Sequence, residues 1–366
     1  MKPATRLESL DTLRGFDMFF IMGGDMLLMA LPALLPCGVT EWLAGQMHHV
    51  QWNGFAFKDM VFPLFLFIAG ISFPFSLAAS RSRSLSNGRI YMRILRRAVL
   101  LVLLGMVYNG ALGFDFEKLR CASVLARIGI GWAVAAVLFM NFGARTRAAI
   151  AAAVLAGYWL LLWLVPAPDV PGALPYTFEG NLVGYVDRIA LPGRLISGTF
   201  DPEGLLSTLP AVVTAMLGMF TGEFVQRQNV SGDRKAAYIA AAGAALVVIG
   251  LVWSLQMPIN KKLWTSSYVC FVGGLSALLF ALFYYLIDVR GWRGGTLFFK
   301  VIGMNSIFIY LFQRMVNVKY TAEFLDKGLV RLLPDSAAGV VAALFHIAVC
   351  WGVLYFLYRK KTFLKV

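Results

Sequence analysis

The chain has 366 residues, 59% of them hydrophobic and only 14% charged, with a mean hydropathy of +0.73. Soluble domains carry about 25% charged residues, so a water-soluble globule of this size is excluded, as are disordered and collagen-like classes. An all-α polytopic membrane bundle remains. The formal charge of +14 fits loops on the cytoplasmic face of a membrane. It does not imply a nucleic-acid partner, because no zinc-finger spacing, RNA-binding signature or basic face interleaved with aromatics lies outside the apolar runs.

The first fifteen residues carry Lys2, Arg6 and Arg14 beside Glu8 and Asp11. The apolar run that follows is long enough to span and ends in no cleavage site, so it reads as a retained first helix rather than a signal peptide. A membrane helix needs about 20 mostly apolar residues. Ten such runs lie near 15–35, 59–80, 94–112, 123–141, 148–166, 206–226, 237–256, 265–288, 296–313 and 338–358. The stretches 41–57 and 318–333 are too polar or too short and are expected at the interface. With the N-terminus inside, 20 of the 33 basic residues fall on inner segments and 11 on outer ones, which favours both termini in the cytoplasm. The longest outer loops are then about 36–58 and 167–205. No duplication between the halves is visible, which weakens the inverted-repeat signature of many carriers.

Ionisable groups inside a span are costly and face a protein interior or a cavity. The first span holds Asp17 and Asp25, roughly 80° apart around a helix. A packing role and, for Asp25, a substrate or cofactor role both stand. The densest chemical patch is 47–63, where His48 and His49, two of the three histidines, sit beside Trp52, Asn53 and Asp59. Histidine accepts a proton near neutral pH and a carboxylate fixes its tautomer. Two adjacent histidines are weak evidence for metal, and no third ligand at a zinc spacing follows. His346, within the last run, reads as a helix–helix histidine. Arg127, in the fourth run, is either a buried ion-pair partner or a phosphate contact.

Around 200–210, Asp201 suits an N-cap, Pro202 the first helical position and Glu203 the first turn. Lys261, Lys262, Trp264 and Thr265 open the eighth run, while Asn305 and Ser306 interrupt the ninth. Such residues hydrogen-bond across helices or line a cavity. The four cysteines, Cys37, Cys121, Cys270 and Cys350, form no C-x-x-C pair. Cys37 and Cys121 share the outer side, which leaves a disulfide and two unpaired thiols both open.

These residues also carry a resemblance. Six blocks occur in order: Ser9 to Phe16, His49 to Gly54, Lys58 to Gly70, Phe200 to Thr208, Asn260 to Tyr268, and Gly303 to Ser306. Together they resemble the shorter bacterial members of the heparan-alpha-glucosaminide N-acetyltransferase family, among the transmembrane acyltransferases. The resemblance covers nearly the whole chain as one acyltransferase domain, 1–366, without the large luminal N-terminal region of the animal enzyme. It implies transfer of acetyl from cytosolic acetyl-CoA to an amino sugar across a bacterial inner membrane. The family's active-site histidine, three residues before the tryptophan, corresponds to His49, as general base or as acetyl carrier. Where related enzymes tend to have an asparagine late in the first span, this chain has Asp25.

The partners implied are coenzyme A, a glucosamine-like acceptor, surrounding membrane lipid and a second copy in a homodimer. The residues placed around His49 to bind or orient substrate are Asp25, Trp52, Asn53, Asp59, Asp201, Glu203, Lys262, Trp264, Thr265 and Asn305. Asn53, Asn305, Thr265 and Lys262 are the candidates for steadying an oxyanion, and Arg127 for touching the cofactor. A membrane carrier of sugars or acyl donors is the alternative, and a noncatalytic scaffold a third.

Overall fold

The computed structural model describes residues 7–115 and 117–364, so Lys2, Arg6 and Lys365 of the charge map lie outside the described residues. Among the described residues the chain is helical, with one isolated bridge, Arg120 to Gly193, and no strand. In order come α1 (Glu8–Phe19), α2 (Asp25–Leu34), α3 (Gly38–Gln46), α4 (Phe57–Ser82), α5 (Asn87–Tyr108), α6 (Val124–Asn141), α7 (Ala144–Leu164) and α8 (Leu182–Ala190). They are followed by α9 (Leu205–Val225), α10 (Gly232–Trp253), α11 (Ser266–Phe283), α12 (Thr296–Met304), α13 (Ser306–Met315), α14 (Val318–Val330) and α15 (Asp335–Arg359).

Every one of the ten apolar runs is helical, yet among the described residues eight helices are long and apolar enough to cross a membrane, or nine if a bent pair counts as one span. The difference has two physical causes. α5 is long enough but carries Arg93, Arg96 and Arg97 in its middle, so its apolar stretch is short. The run near 296–313 is broken at Asn305, where α12 and α13 meet at 69°. The first span is also interrupted. A wide turn over 20–24 joins α1 to α2, with Gly23 at φ 134°, a conformation that a side chain would strain. The two weak stretches hold α3 and α14, of 9 and 13 residues, both too short to span.

α4 is the central helix. It buries residues on all its faces, a pattern that belongs to a helix surrounded by others, and it packs on α1, α6, α9 and α11. Its crossing with α9 is close because small residues meet there. A Cβ at Gly70 would lie 2.2 Å from the Ala215 carbonyl oxygen, and one at Gly218 would lie 2.0 Å from that of Phe67. Without a solvent-driven hydrophobic force between helices, such backbone approach is what brings spans together. α4 also gives the bundle its two polar ends. Phe57 begins it beside the histidine loop, and Arg81 closes its last turn at the other end. All four cysteines are free thiols, including Cys37 and Cys121.

Candidate active site

α4 starts with an acidic residue at its third position, and that residue builds the site. The Asp59 carboxylate folds back, with Oδ2 accepting from the Ala56 and Val50 amides at 3.3 Å each. An acid in this place satisfies orphan amides of a helix start and complements its dipole. The other oxygen, Oδ1, lies 2.7 Å from His49 Nδ1 and 3.3 Å from Lys261 Nζ. Asp59 is buried, whereas the His49 side chain is 52% exposed.

This geometry assigns the tautomer. With a carboxylate at 2.7 Å, Nδ1 carries the proton and donates it, so Nε2 holds the lone pair. Lys261 Nζ stands 3.2 Å from the same ring nitrogen and donates to the carboxylate. Burial lowers the Lys261 pKa below the ordinary lysine value, while Asp59 and Glu203 oppose that shift. The outcome is an exposed imidazole whose buried edge is fixed by a carboxylate and whose flank carries a cation.

The backbone around this group is locked to the 258–265 loop. Gly54 donates its amide to the Ile259 carbonyl at 2.8 Å, and Asn260 Nδ2 donates to Asn53 Oδ1 at 3.1 Å. The Asn53 amide group is exposed and its nitrogen remains available to a ligand. Tyr268 donates its hydroxyl to the Asp59 carbonyl at 2.7 Å, and Tyr158 donates to the Leu263 carbonyl at 2.6 Å. Trp264 turns the loop in a left-handed conformation, φ 51°, which is costly for an aromatic residue and persists only where packing imposes it. It is fully buried between Phe62, Tyr268 and Arg127.

The other sequence candidates sort into three groups. Asp25 stands close by, because its Oδ2 accepts from Lys58 Nζ at 2.8 Å, and Lys58 precedes Asp59. Trp52 flanks the site, donating Nε1 to the Tyr176 carbonyl at 2.8 Å, with Lys262 Nζ 5.9 Å above its ring. Lys262 itself donates to the Gln51 carbonyl. Trp264 and Thr265 are buried beneath the site. The Thr265 hydroxyl donates to the Pro258 carbonyl at 2.9 Å, so it builds the loop and has no reach to an oxyanion.

Asp201 and Glu203 form a neighbouring cluster and do not touch His49. Arg120 Nε and Nη2 hold the two Asp201 oxygens at 2.6 Å, and Nη2 also meets Glu203. Burial works against the Arg120 charge, but the paired carboxylates raise its pKa above the usual arginine value. Asp201 is therefore not the expected N-cap. α9 begins at Leu205, and its first amide donates to Asp187 Oδ1 at 3.0 Å. Asp201 instead caps the short turn ahead of the helix, its Oδ1 accepting from the Glu203 amide at 2.9 Å while Arg120 holds both oxygens.

One placement differs from the sequence expectation. Asn305 lies away from His49, at the α12–α13 break. Its Nδ2 donates to the Thr362 carbonyl at 3.0 Å and its Oδ1 accepts from the Leu364 amide at 3.0 Å, so both functions hold the tail after α15. Arg127, expected at a cofactor, is 1% exposed. Its Nη2 donates to Ser207 and to the Gly204 carbonyl, its guanidinium lies 4.9 Å over Trp264, and its Nε and Nη1 are buried without a hydrogen-bond partner. His346 Nε2 faces Gln313 Oε1 at 3.2 Å, between helices.

Sequence reasoning passed over Lys261 in favour of Lys262, and it gave Arg120 and Lys58 no role. Lys261 had a signal in the block it shares with Trp264. Arg120 had none, being 81 residues from its partner. Among the described residues no group of histidine, cysteine and acidic side chains has the makings of a metal site.

Comparison with known proteins gives a relationship over nearly the whole chain. No family model matches the chain. It is 28% identical to the human heparan-alpha-glucosaminide N-acetyltransferase over 419 aligned residues, covering 99% of this chain and 60% of the human protein. It is 27% identical to the mouse protein of the same name, covering 100% of this chain and 62% of the mouse one. The chain thus spans about three fifths of the length of these relatives.

Proposed function

Because the chain is a relative of the heparan-alpha-glucosaminide N-acetyltransferases, we propose that it is a transmembrane N-acetyltransferase that moves acetyl from acetyl-CoA to the amine of a glucosamine-like sugar. The observation that carries the proposal is the His49–Asp59 pair at 2.7 Å, on an imidazole that is half exposed. A neutral imidazole held in that tautomer is a general base for an attacking amine. As nitrogen bonds to the thioester carbonyl carbon, Nε2 takes the amine proton. When the carbon–sulfur bond breaks, the same proton passes to the departing thiolate. Lys261 supplies positive charge beside the ring, and Asn53 a free N–H, where negative charge builds on the carbonyl oxygen.

Charge supports the sidedness of this reading. Arg81, Arg83 and the α5 arginines lie at the end of α4 opposite to His49, and a basic end faces the cytoplasm. The acceptor amine then approaches from the other side. The half-exposed imidazole supports this direction of access.

The test is labelled acetyl transfer from acetyl-CoA to glucosamine by the purified chain in detergent, with His49→Ala alongside and coenzyme A binding measured on both. The expected result is product with the parent chain, none with the variant, and binding in each. Product with both would move the base elsewhere. Uptake of sugar into vesicles without acetylation would replace the enzyme by a carrier.

A further inference from the structure

Between α9 and α10 lies an apolar groove of about 320 Å³. It exists because each helix is drawn to a different neighbour. Small residues bring α9 onto α4 at Gly218, and α10 onto α11, where a Cβ on Gly274 would lie 2.5 Å from the Gly243 carbonyl oxygen. α9 and α10 are thus held apart, with Phe67 of α4 and Ala277 of α11 between them as the floor. Phe224 stands in the α9 wall, and Tyr238, Ala242 and Leu246 form the α10 wall. Tyr238 and Ala242 are exposed, so the groove opens outward from the bundle, where the membrane lies.

One end of the groove is basic. The α10 wall repeats at helical spacing, and the same face continues back to Arg234, one turn before Tyr238. Lys235 stands likewise one turn before Ile239, another lining residue. On the α9 side the Phe224 ring meets Tyr238 edge-on at 6.2 Å, and the Arg227 guanidinium lies 5.4 Å from the Phe224 ring. Among the described residues none of these three cations pairs with a carboxylate. The nearby acids are engaged elsewhere, Glu223 with Arg147 at 2.7 Å and Asp233 with Arg290 at 3.8 Å. Gln226, in the loop that joins the two helices, has a buried Nε2 with no acceptor, and a buried donor left unpaired is costly. Cations in the first turn of a helix are also opposed by its dipole. An anion with several acceptor oxygens, such as a phosphate, relieves both costs.

The depth of the groove fits a lipid chain. From Tyr238 to Leu246 is roughly 12 Å of helix, close to the ~15 Å of one leaflet in a hydrocarbon core about 30 Å thick. The basic end lies opposite to His49, on the side that the charge argument above places in the cytoplasm. We propose that the groove holds an anionic phospholipid of the inner leaflet, with one acyl chain between α9 and α10 and its phosphate on Arg227, Arg234 and Lys235. Basic pockets between spans on that side suit such headgroups. A free phosphate would leave the groove unfilled, and a second copy docked face to face would bring the same uncompensated cations to the rim. This inference is independent of the transfer chemistry.

The experiment titrates the purified full chain, in uncharged detergent, with dioctanoyl phosphatidylglycerol, dioctanoyl phosphatidylcholine and inorganic phosphate, read by thermophoresis. Arg227→Gln with Arg234→Gln, both at exposed positions, tests the headgroup contacts. Ala242→Phe fills the groove and tests the chain. Removing two cations should weaken phosphatidylglycerol about thirtyfold and erase its advantage over phosphatidylcholine. Ala242→Phe should weaken both lipids alike, and added salt should weaken phosphatidylglycerol alone. Arg145→Gln with Lys360→Gln removes two exposed charges at the same end of the bundle and should change nothing. Parental phosphatidylglycerol affinity in the Arg227 and Arg234 variant, or an equal loss in the Arg145 and Lys360 variant, overturns the inference. Inorganic phosphate bound as tightly as the lipid would overturn it too and assign the loop to a free anion. Parental lipid affinity in Ala242→Phe also overturns it, and a smaller particle mass for that variant would then assign the groove to a second copy.

Discussion

Lys58 Nζ donates to Asp25 Oδ2 at 2.8 Å, which ties the break in the first span to the first turn of α4, one residue before the carboxylate that holds His49. The pair is partly screened, with side chains 28% and 16% exposed, so its strength is modest. Its importance is positional. Catalytic groups lose rate when their supports shift by a fraction of an ångström. Asp25→Asn keeps an acceptor for the Met26 amide, which Asp25 Oδ1 now takes at 2.7 Å, but removes the charge. The expected effect is a several-fold fall in turnover with coenzyme A affinity unchanged. A double variant with Lys58→Met checks it, because losses that come from the pair do not add.

Lys261 predicts an alkaline limit to activity. Burial lowers its pKa, though Asp59 and Glu203 oppose this. The ammonium is the form that steadies developing negative charge. As pH rises, the group loses its proton earlier than an ordinary lysine, and turnover should fall below the usual lysine range. Lys261→Arg keeps its charge through that range and should carry the limb upward. Lys261→Met should lower turnover about a hundredfold on the neutral plateau, with the gap to the parent closing along the alkaline limb. Initial rates from neutral to strongly alkaline pH decide this. A limb that stays in place in the Arg variant would assign it to another group.

Much of the fold was legible because membrane helices announce themselves by length and apolarity. The exceptions were those where one side chain changes the rule, as with the arginines of α5 and Asn305 at a break. The site was readable where its residues are neighbours. His49 and Asp59 share one patch, and the acid at the third position of a helix has a local reason to fold back. Outside helices, periodicity gives no phase. Lys261 and Lys262 are adjacent in a loop turned by Trp264, and sequence cannot say which faces the imidazole. Arg120 and Asp201 are joined only by the fold, through the bridge from Arg120 to Gly193 and the Arg194 amide donated to the Leu119 carbonyl at 3.1 Å.

That distant pairing predicts a structural phenotype. Asp201 is fully buried, and Arg120 is its cationic partner. Arg120→Met leaves a carboxylate uncompensated in the protein, and breaking a buried pair from one side costs about 3–5 kcal/mol. The variant should melt far below the parent chain in detergent. Asp201→Asn combined with Arg120→Met removes the fully buried charge, leaves Glu203 alone without its partner, and should recover part of the loss. Equal melting of the single and double variants would show that the pair contributes packing rather than charge.

Asp187 supplies a pH dependence of stability with a definite sign. It is fully buried in α8 and accepts from the Asp201 and Leu205 amides. Burial raises its pKa from about 3.8 to about 6, the two amides opposing. Between those values the folded chain holds a proton that the unfolded chain has lost. Stability from this group is therefore complete below about pH 4 and is lost as pH rises through about 6. Two units correspond to about 3 kcal/mol. Asp187→Asn cannot titrate, so the difference between the melting temperatures of variant and parent should change across that window and be level above it. The variant keeps one acceptor for the start of α9 and should fold. A difference that stays constant from pH 4 to pH 7 would mean that Asp187 is ionised throughout, held so by the two backbone amides.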